Sequence, residues 1–270
     1  MNPGRRKKTL IGLVVLIVGA PVAWFSLRDS RDAVPQKDRA ARDAGTLTRK
    51  SPGAVAAAKN SFDFYLLALT VHPAFCADGR AGIPECRAPA PRPLVIHGLW
   101  PERFAPRTYP RDCPAKTLDL EPGLAQELTE WMPGMAANLH EHEWRAHGGC
   151  SGLDDDEYFR RSIDLARGLD RALHAKLTTL AGRETTAEEL RETADMFQPG
   201  IGSTFTLHCR TLRGAPAAQR EQPFLVEIRQ CVDNDGPDGA PGTLLDCARI
   251  PRHDQGCGAA FRIAKSGDRS

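Results

Sequence analysis

The sequence predicts an α+β domain, and three observations carry that reading. Apolar, strand-like runs stand at both ends of the region from residue 58 to 270, charged segments of helical period fill its middle, and eight cysteines are spread across it. Strands gathered at two ends of a chain with helices between them belong to α+β architectures rather than to alternating βαβ units. Roughly 210 residues are comfortable for one domain.

The elements follow in chain order. Phe62 to Thr70 is an apolar, aromatic run consistent with a buried strand. Pro91 and Pro93 introduce Leu94-Val95-Ile96, a short β-branched strand expected to end at His97. Leu124 to Met132 and Asn138 to His147 have helical character, with Gly148-Gly149 expected to stop the second. Asp154 to about Phe197, charged with recurring Leu and Ala, suggests two or more amphipathic helices. Phe205 to Cys209 and Phe224 to Cys231 are strand-like again, followed by turns rich in Gly, Pro and Asp.

The amino-terminal residues speak to compartment. Arg5, Arg6, Lys7 and Lys8 precede an apolar run from Leu10 to Leu27. That layout over residues 1–27 is the signature of an export signal. At ~18 residues the run also approaches the length of a membrane span, and Pro21 fits a cleavage site after Ala23 poorly, so a cleaved signal and a retained anchor both stand. Residues 28–57 mix charge with Pro35 and Gly45 and hold hardly any large apolar side chain, which predicts a flexible linker. An exported chain with an even cysteine count, all beyond residue 70, is expected to form disulfides in a periplasmic or extracellular setting. No two cysteines have C-x-x-C spacing, which disfavours structural zinc.

Charge narrows the function classes. The chain carries 36 Lys+Arg and 34 Asp+Glu, but from Ser61 onward there are 24 basic and 30 acidic residues, a net of −6. A generic nucleic-acid binder presents a basic face. Any polyanion site here must be local, made of a few aimed groups.

Four of the eight histidines fall in two short segments, His97-Gly98-Leu99-Trp100-Pro101 and His140-Glu141-His142-Glu143-Trp144-Arg145-Ala146-His147. On a helix, Glu143 and His147 share a face, and such a carboxylate is expected to raise the imidazole pKa towards neutrality. A zincin helix needs H-E-x-x-H; here the second histidine comes one residue late, and Ala146 occupies the ligand position. A strand histidine facing a helix histidine suits phosphodiester transfer within RNA. One imidazole removes the 2′-hydroxyl proton and the other protonates the departing 5′ oxygen, so neither metal nor cofactor is called for and DNA is not a substrate.

Val95-Ile96-His97-Gly98-Leu99-Trp100-Pro101 and His142-Glu143-Trp144-Arg145-Ala146-His147-Gly148-Gly149-Cys150 resemble the two active-site segments of the ribonuclease T2 family. The resemblance runs from about Phe62 to Ile263 and includes the cysteine pattern. It implies a central antiparallel sheet with helices packed around it, and an endoribonuclease acting on single-stranded RNA through a 2′,3′-cyclic phosphate, expected as a monomer. It implies His97 as acid, His147 as base, Glu143 as the acidic residue assisting at the phosphate and His142 as the histidine holding it. Trp100 suits base stacking, and Glu102 stands where relatives often have a base-contacting residue. The resemblance further implies the bridges Cys76–Cys86, Cys113–Cys150, Cys209–Cys257 and Cys231–Cys247.

Two positions depart from the family pattern. A Lys usually precedes the last histidine of the second segment, where this chain has Ala146, leaving the adjacent Arg145 as the candidate phosphate cation. Val71 stands where relatives commonly carry an aromatic residue. With an acidic domain, these departures motivate the alternative of a non-catalytic RNA-binding protein on the same fold. The catalytic reading predicts a bell-shaped pH dependence with both limbs between about pH 5 and 8, where imidazoles ordinarily titrate.

Overall fold

The computed structural model describes residues 62–265, except 81, 88–91, 106–108 and 251–253. The expected leader over 1–27 and linker over 28–57 lie outside the described residues.

The apolar run that opens the domain is strand β1 (Phe64–Val71), in which only Thr70 is not fully buried. It carries no polar alternation because it is central. Strand β2 (Leu94–Glu102) pairs with one edge and strand β5 (Phe224–Asp233) with the other, both antiparallel. Strand β4 (Phe205–Arg210) pairs antiparallel with β5, and two short strands, β3 (Glu184–Thr185) and β6 (Phe261–Arg262), extend the sheet to six strands in the order β2-β1-β5-β6-β3, with β4 also on β5. The pairing of β5 with β6 is parallel; the others are antiparallel.

The helices sit around this sheet. Helix α1 (His72–Ala77) leaves β1 directly, and α2 (Pro122–Trp131) starts with Pro, whose missing N–H is no loss in a first turn. The charged middle of the chain forms α4 (Asp155–Thr179) and α5 (Ala187–Phe197). Asp154 caps α4 by accepting from Glu157 N at 2.8 Å, and Asp155, Asp156 and Glu157 complement the positive end of its dipole. Its stripe Ile163, Ala166, Leu169, Leu173 and Leu177 is buried, and Tyr158 donates its hydroxyl to Leu99 O at 2.7 Å, tying α4 to β2.

Two local expectations are corrected. Strand β2 does not end at His97 but continues to Glu102. Leu69 pairs with Ile96 and Ala68 with Gly98, which leaves His97 as the extra residue of a β-bulge. Nor do Gly148 and Gly149 stop the second helix. Helix α3, residues 139–151, is α-helical over Leu139–Glu143, π-helical over Trp144–Gly148 and α-helical over Gly149–Ser151, and both glycines are right-handed. It ends at Gly152, whose φ of 82° is the left-handed cap expected of glycine. The paired glycines serve close approach instead. A Cβ on Gly148 would lie 2.1 Å from the Trp144 ring, and one on Gly149 2.8 Å from Cys113 O.

All eight cysteines are bridged, as Cys76–Cys86, Cys113–Cys150, Cys209–Cys257 and Cys231–Cys247, in agreement with the pairing the resemblance implies. The second bridge fixes the loop after β2 to the end of α3.

Candidate active site

Both irregularities aim side chains at one spot. Residues 97 and 100 would point to opposite faces of a regular strand. The bulge at His97 removes that alternation, and the rings of His97 and Trp100 meet at 5.2 Å, edge to face. In α3 the π turn begins directly after Glu143 and contains His147; such turns recur at functional sites. Gly98 lets strand and helix close. A Cβ there would fall 2.0 Å from Glu143 Oε2 and 2.5 Å from Trp100 Nε1.

Glu143 is the centre of the arrangement. Its side chain is 2% exposed and accepts a hydrogen bond from Trp100 Nε1 at 2.8 Å. Its carboxylate lies 3.9 Å from His97 Nε2 and 4.0 Å from His147 Nε2. Burial raises its pKa, partly offset by His97, Trp100, His142 and Arg111.

The two histidines are held differently. His97 donates from Nδ1 to Glu227 Oε2 at 2.8 Å, and Glu227 is in turn bonded through Oε1 to Arg229 Nε at 2.5 Å. Burial opposes charge on His97, but the hydrogen bond and charge of Glu227, with Glu143 beyond, outweigh it and raise the ring's pKa. His147 is 7% exposed, and its Nδ1 is buried with no hydrogen-bond partner among the described residues. Burial first, then the cations Arg111, His142 and His97, push its pKa down to about 4. The expectation that Glu143 would raise it is thus overturned: desolvation and nearby positive charge outweigh one carboxylate at 4.0 Å.

The other expected residues divide. His142 is exposed and lines, with His97, a cleft of about 810 Å³ over the ends of β1, β4 and β5. Trp100 does not line that cleft. Its N–H is given to Glu143, and its ring lies 5.6 Å from His147 and 5.2 Å from the Arg229 guanidinium. Glu102 is 4% exposed, buried at the far end of β2 opposite Phe64. Arg145 is exposed and makes no ion pair among the described residues, whereas Ala146 is buried and its carbonyl accepts from Asp112 N at 2.9 Å. The helix turns Arg145 outward from the face that carries Glu143 and His147. Among the described residues, His72, Cys76 and Cys86 are the one set of three whose metal-ligating atoms all lie within 4.8 Å of one another, and its two sulfurs are joined to each other.

Sequence reasoning missed Glu227, Arg229 and His208. They share one row and its neighbours: Thr70, Glu227 and His208 pair across β1, β5 and β4. His208 is 8% exposed, and burial followed by Arg229 lowers its pKa to about 4. The available signal was Glu227-Ile228-Arg229, two charges on alternate positions inside an otherwise apolar strand.

Residues 62–242 match the model of the Ribonuclease T2 family. A protein named Ribonuclease from Aeromonas hydrophila is 29% identical over 181 residues, covering 66% of this chain and 74% of that protein. Ribonuclease MC of Momordica charantia is 27% identical, covering 74% of this chain and 99% of that protein. Ribonuclease I of Escherichia coli (strain K12) is 27% identical, covering 76% and 87%. Among solved structures, ribonuclease MC1 from the seeds of bitter gourd superposes with a TM-score of 0.58 at 25% identity, over 74% of this chain and 100% of that one. A variant of the same protein was solved in complex with 5′-UMP.

Proposed function

This chain belongs to the ribonuclease T2 family and is an endoribonuclease, and from that premise we propose that it cleaves single-stranded RNA by transphosphorylation, without a metal, through a 2′,3′-cyclic phosphate. His147, neutral because its pKa is near 4, takes the 2′-hydroxyl proton. The 2′ oxygen forms a bond to phosphorus as the bond to the 5′ oxygen breaks, and that oxygen receives the proton of His97, whose pKa is raised. The carrying observation is one buried carboxylate, Glu143, set within 4.0 Å of two imidazoles whose surroundings push their pKa values apart. Glu143 offsets positive charge as protons move, and its bond from Trp100 fixes its orientation, so Trp100 serves as a positioning residue. His142, at the cleft rim, contacts the phosphate. The 5′-UMP complex of ribonuclease MC1 supports a nucleotide as occupant of the site. Four disulfides support export to an oxidising compartment.

Digesting RNA with the purified chain in excess EDTA, followed by analysis of product ends, tests this reading. We expect 2′,3′-cyclic ends and a loss of about 10²- to 10⁴-fold in kcat for His97→Ala and for His147→Ala. Cleavage abolished by EDTA, or full activity in either variant, would overturn it.

A further inference from the structure

The cleft that begins at His97 continues well beyond it. Along β4 it passes from His208 to Arg210, and beside α1 it reaches Phe75 and Arg80. Beneath this end lies Asp78, whose side chain is fully buried. Its Oδ2 accepts from Arg80 Nη1 at 3.0 Å and from Arg210 Nη1 at 2.7 Å, while Oδ1 accepts from Arg213 N at 2.9 Å and has Arg213 Nε at 3.8 Å. Arg80 also lies over the Phe75 ring, 4.6 Å from its centroid. One carboxylate therefore holds three guanidinium groups. Counting Glu85, which lines the same cleft, the cluster keeps a surplus of one positive charge in a domain that is net negative.

The geometry is that of a prearranged anion site. Each guanidinium has five N–H donors, and Asp78 takes one nitrogen each from Arg80 and Arg210. Both arginines line the cleft with side chains 33% and 47% exposed, which leaves donors for a ligand there, and such a fork matches phosphate oxygens. Asp78 fixes the direction of both groups in advance, which lowers the ordering cost of binding.

The side of the reaction follows from the same cleft. It is lined by His97 and not by His147, so it receives RNA on the leaving-group side of the scissile bond. We propose that Arg80 and Arg210 bind the phosphate on the 3′ side of the nucleotide downstream of the cut, forming a subsite that favours longer RNA over a dinucleotide. This rests on the assignment of His97 as the acid.

The test uses the full chain and uncleavable probes, so that it does not depend on catalysis. ApA and ApAp, each 2′-deoxy at the first nucleotide, differ only in the terminal 3′-phosphate. Calorimetric titration should show ApAp binding about tenfold more tightly, equivalent to ~1.4 kcal/mol. Arg80→Gln or Arg210→Gln should remove most of that preference while leaving the affinity for ApA within twofold. The single changes each leave Asp78 another arginine and the Arg213 N–H. The unaltered protein supplies a second measurement: affinity for ApAp should fall more steeply with rising salt than affinity for ApA. Equal affinity and slope for the two probes would overturn the subsite, as would an undiminished preference in both variants. Loss of ApA and ApAp binding together would mean a structural role only. Cleavage of ordinary ApA to a cyclic end, measured separately, reports on the acid–base assignment itself.

Discussion

His97 and His147 come from elements of different kinds, and each sits where its element is irregular. His97 is the extra residue of a bulge in β2, its side chain 38% exposed and its Nδ1 bonded to a carboxylate at 2.8 Å. His147 lies in the π turn of α3, its side chain 8% exposed and its Nδ1 buried without a partner among the described residues. They share Glu143 at nearly equal distance, so its position alone does not separate them. What differs is the far side of each ring: Glu227 behind one, burial and Arg111 around the other. The proposed division into acid and base therefore rests on the groups behind the histidines, not on the histidine motifs.

Separating the shared element from the distinguishing ones gives the largest effect expected outside the two histidines themselves. Gly98→Ala places a methyl 2.0 Å from Glu143 Oε2 and 2.5 Å from Trp100 Nε1, so the carboxylate must leave its position between the rings. Misplacement of about 1 Å at a reacting centre costs on the order of 10²-fold in rate, and overpacking of this kind costs about 1–3 kcal/mol of stability. Steady-state kinetics and a thermal melt on the variant check both. A kcat within threefold of the unaltered enzyme would show that the central carboxylate is dispensable.

Removing one distinguishing group should then shift a single limb of the pH profile. On the proposed mechanism, activity needs His147 neutral and His97 protonated. The acid limb accordingly falls near pH 4, set by His147, and the alkaline limb lies above 6.5, set by His97. The sequence placed both limbs between about pH 5 and 8 because it saw imidazoles without their surroundings; the burial of His147 predicts a bell wider on its acid side. Glu227→Gln keeps a hydrogen-bond acceptor beside Nδ1 but removes the charge that favours imidazolium. The alkaline limb of kcat/KM should move to lower pH, with roughly tenfold less activity at pH 8, about 1.4 kcal/mol for one charge-assisted bond, while the acid limb stays in place. A uniform loss at every pH would assign Glu227 to structure alone.

The sequence disclosed the motifs and most of the elements, and its family resemblance implied the bridges, but neither disclosed these surroundings, for a physical reason. A continuous apolar run such as β1, or capped amphipathic helices such as α4 and α5, is legible because local pattern and tertiary burial agree. The bulge at His97 and the π turn after Glu143 leave no pattern, since each is settled by what packs across from it: β1 on one side, and the loop of Cys113 on the other. Glu227 and Arg229 stand 130 and 132 residues beyond His97, and only the sheet order β2-β1-β5 brings them near it.

The smallest expected effect concerns the cation beside His147. Arg145 and Arg111 are both candidates to compensate for the alanine at position 146, and they occupy contrasting surroundings. Arg145 is exposed on the outward side of α3. Arg111 stands next to Asp112, whose N–H bonds to Ala146 O, and its charge bears on Glu143 and His147 alike. Arg145→Ala should leave kcat and KM within twofold, as for other surface changes of about ±0.5 kcal/mol. Arg111→Ala should lower kcat by several-fold, since removing a cation near a developing phosphorane weakens transition-state binding more than substrate binding. It should also move the acid limb to higher pH, because a charge that holds the His147 pKa down has gone. Parallel pH–rate profiles of the two variants decide the matter. If Arg145→Ala proves the more damaging, the outward turn of that side chain is not the conformation that meets RNA, and the contrast between the two helix faces fails.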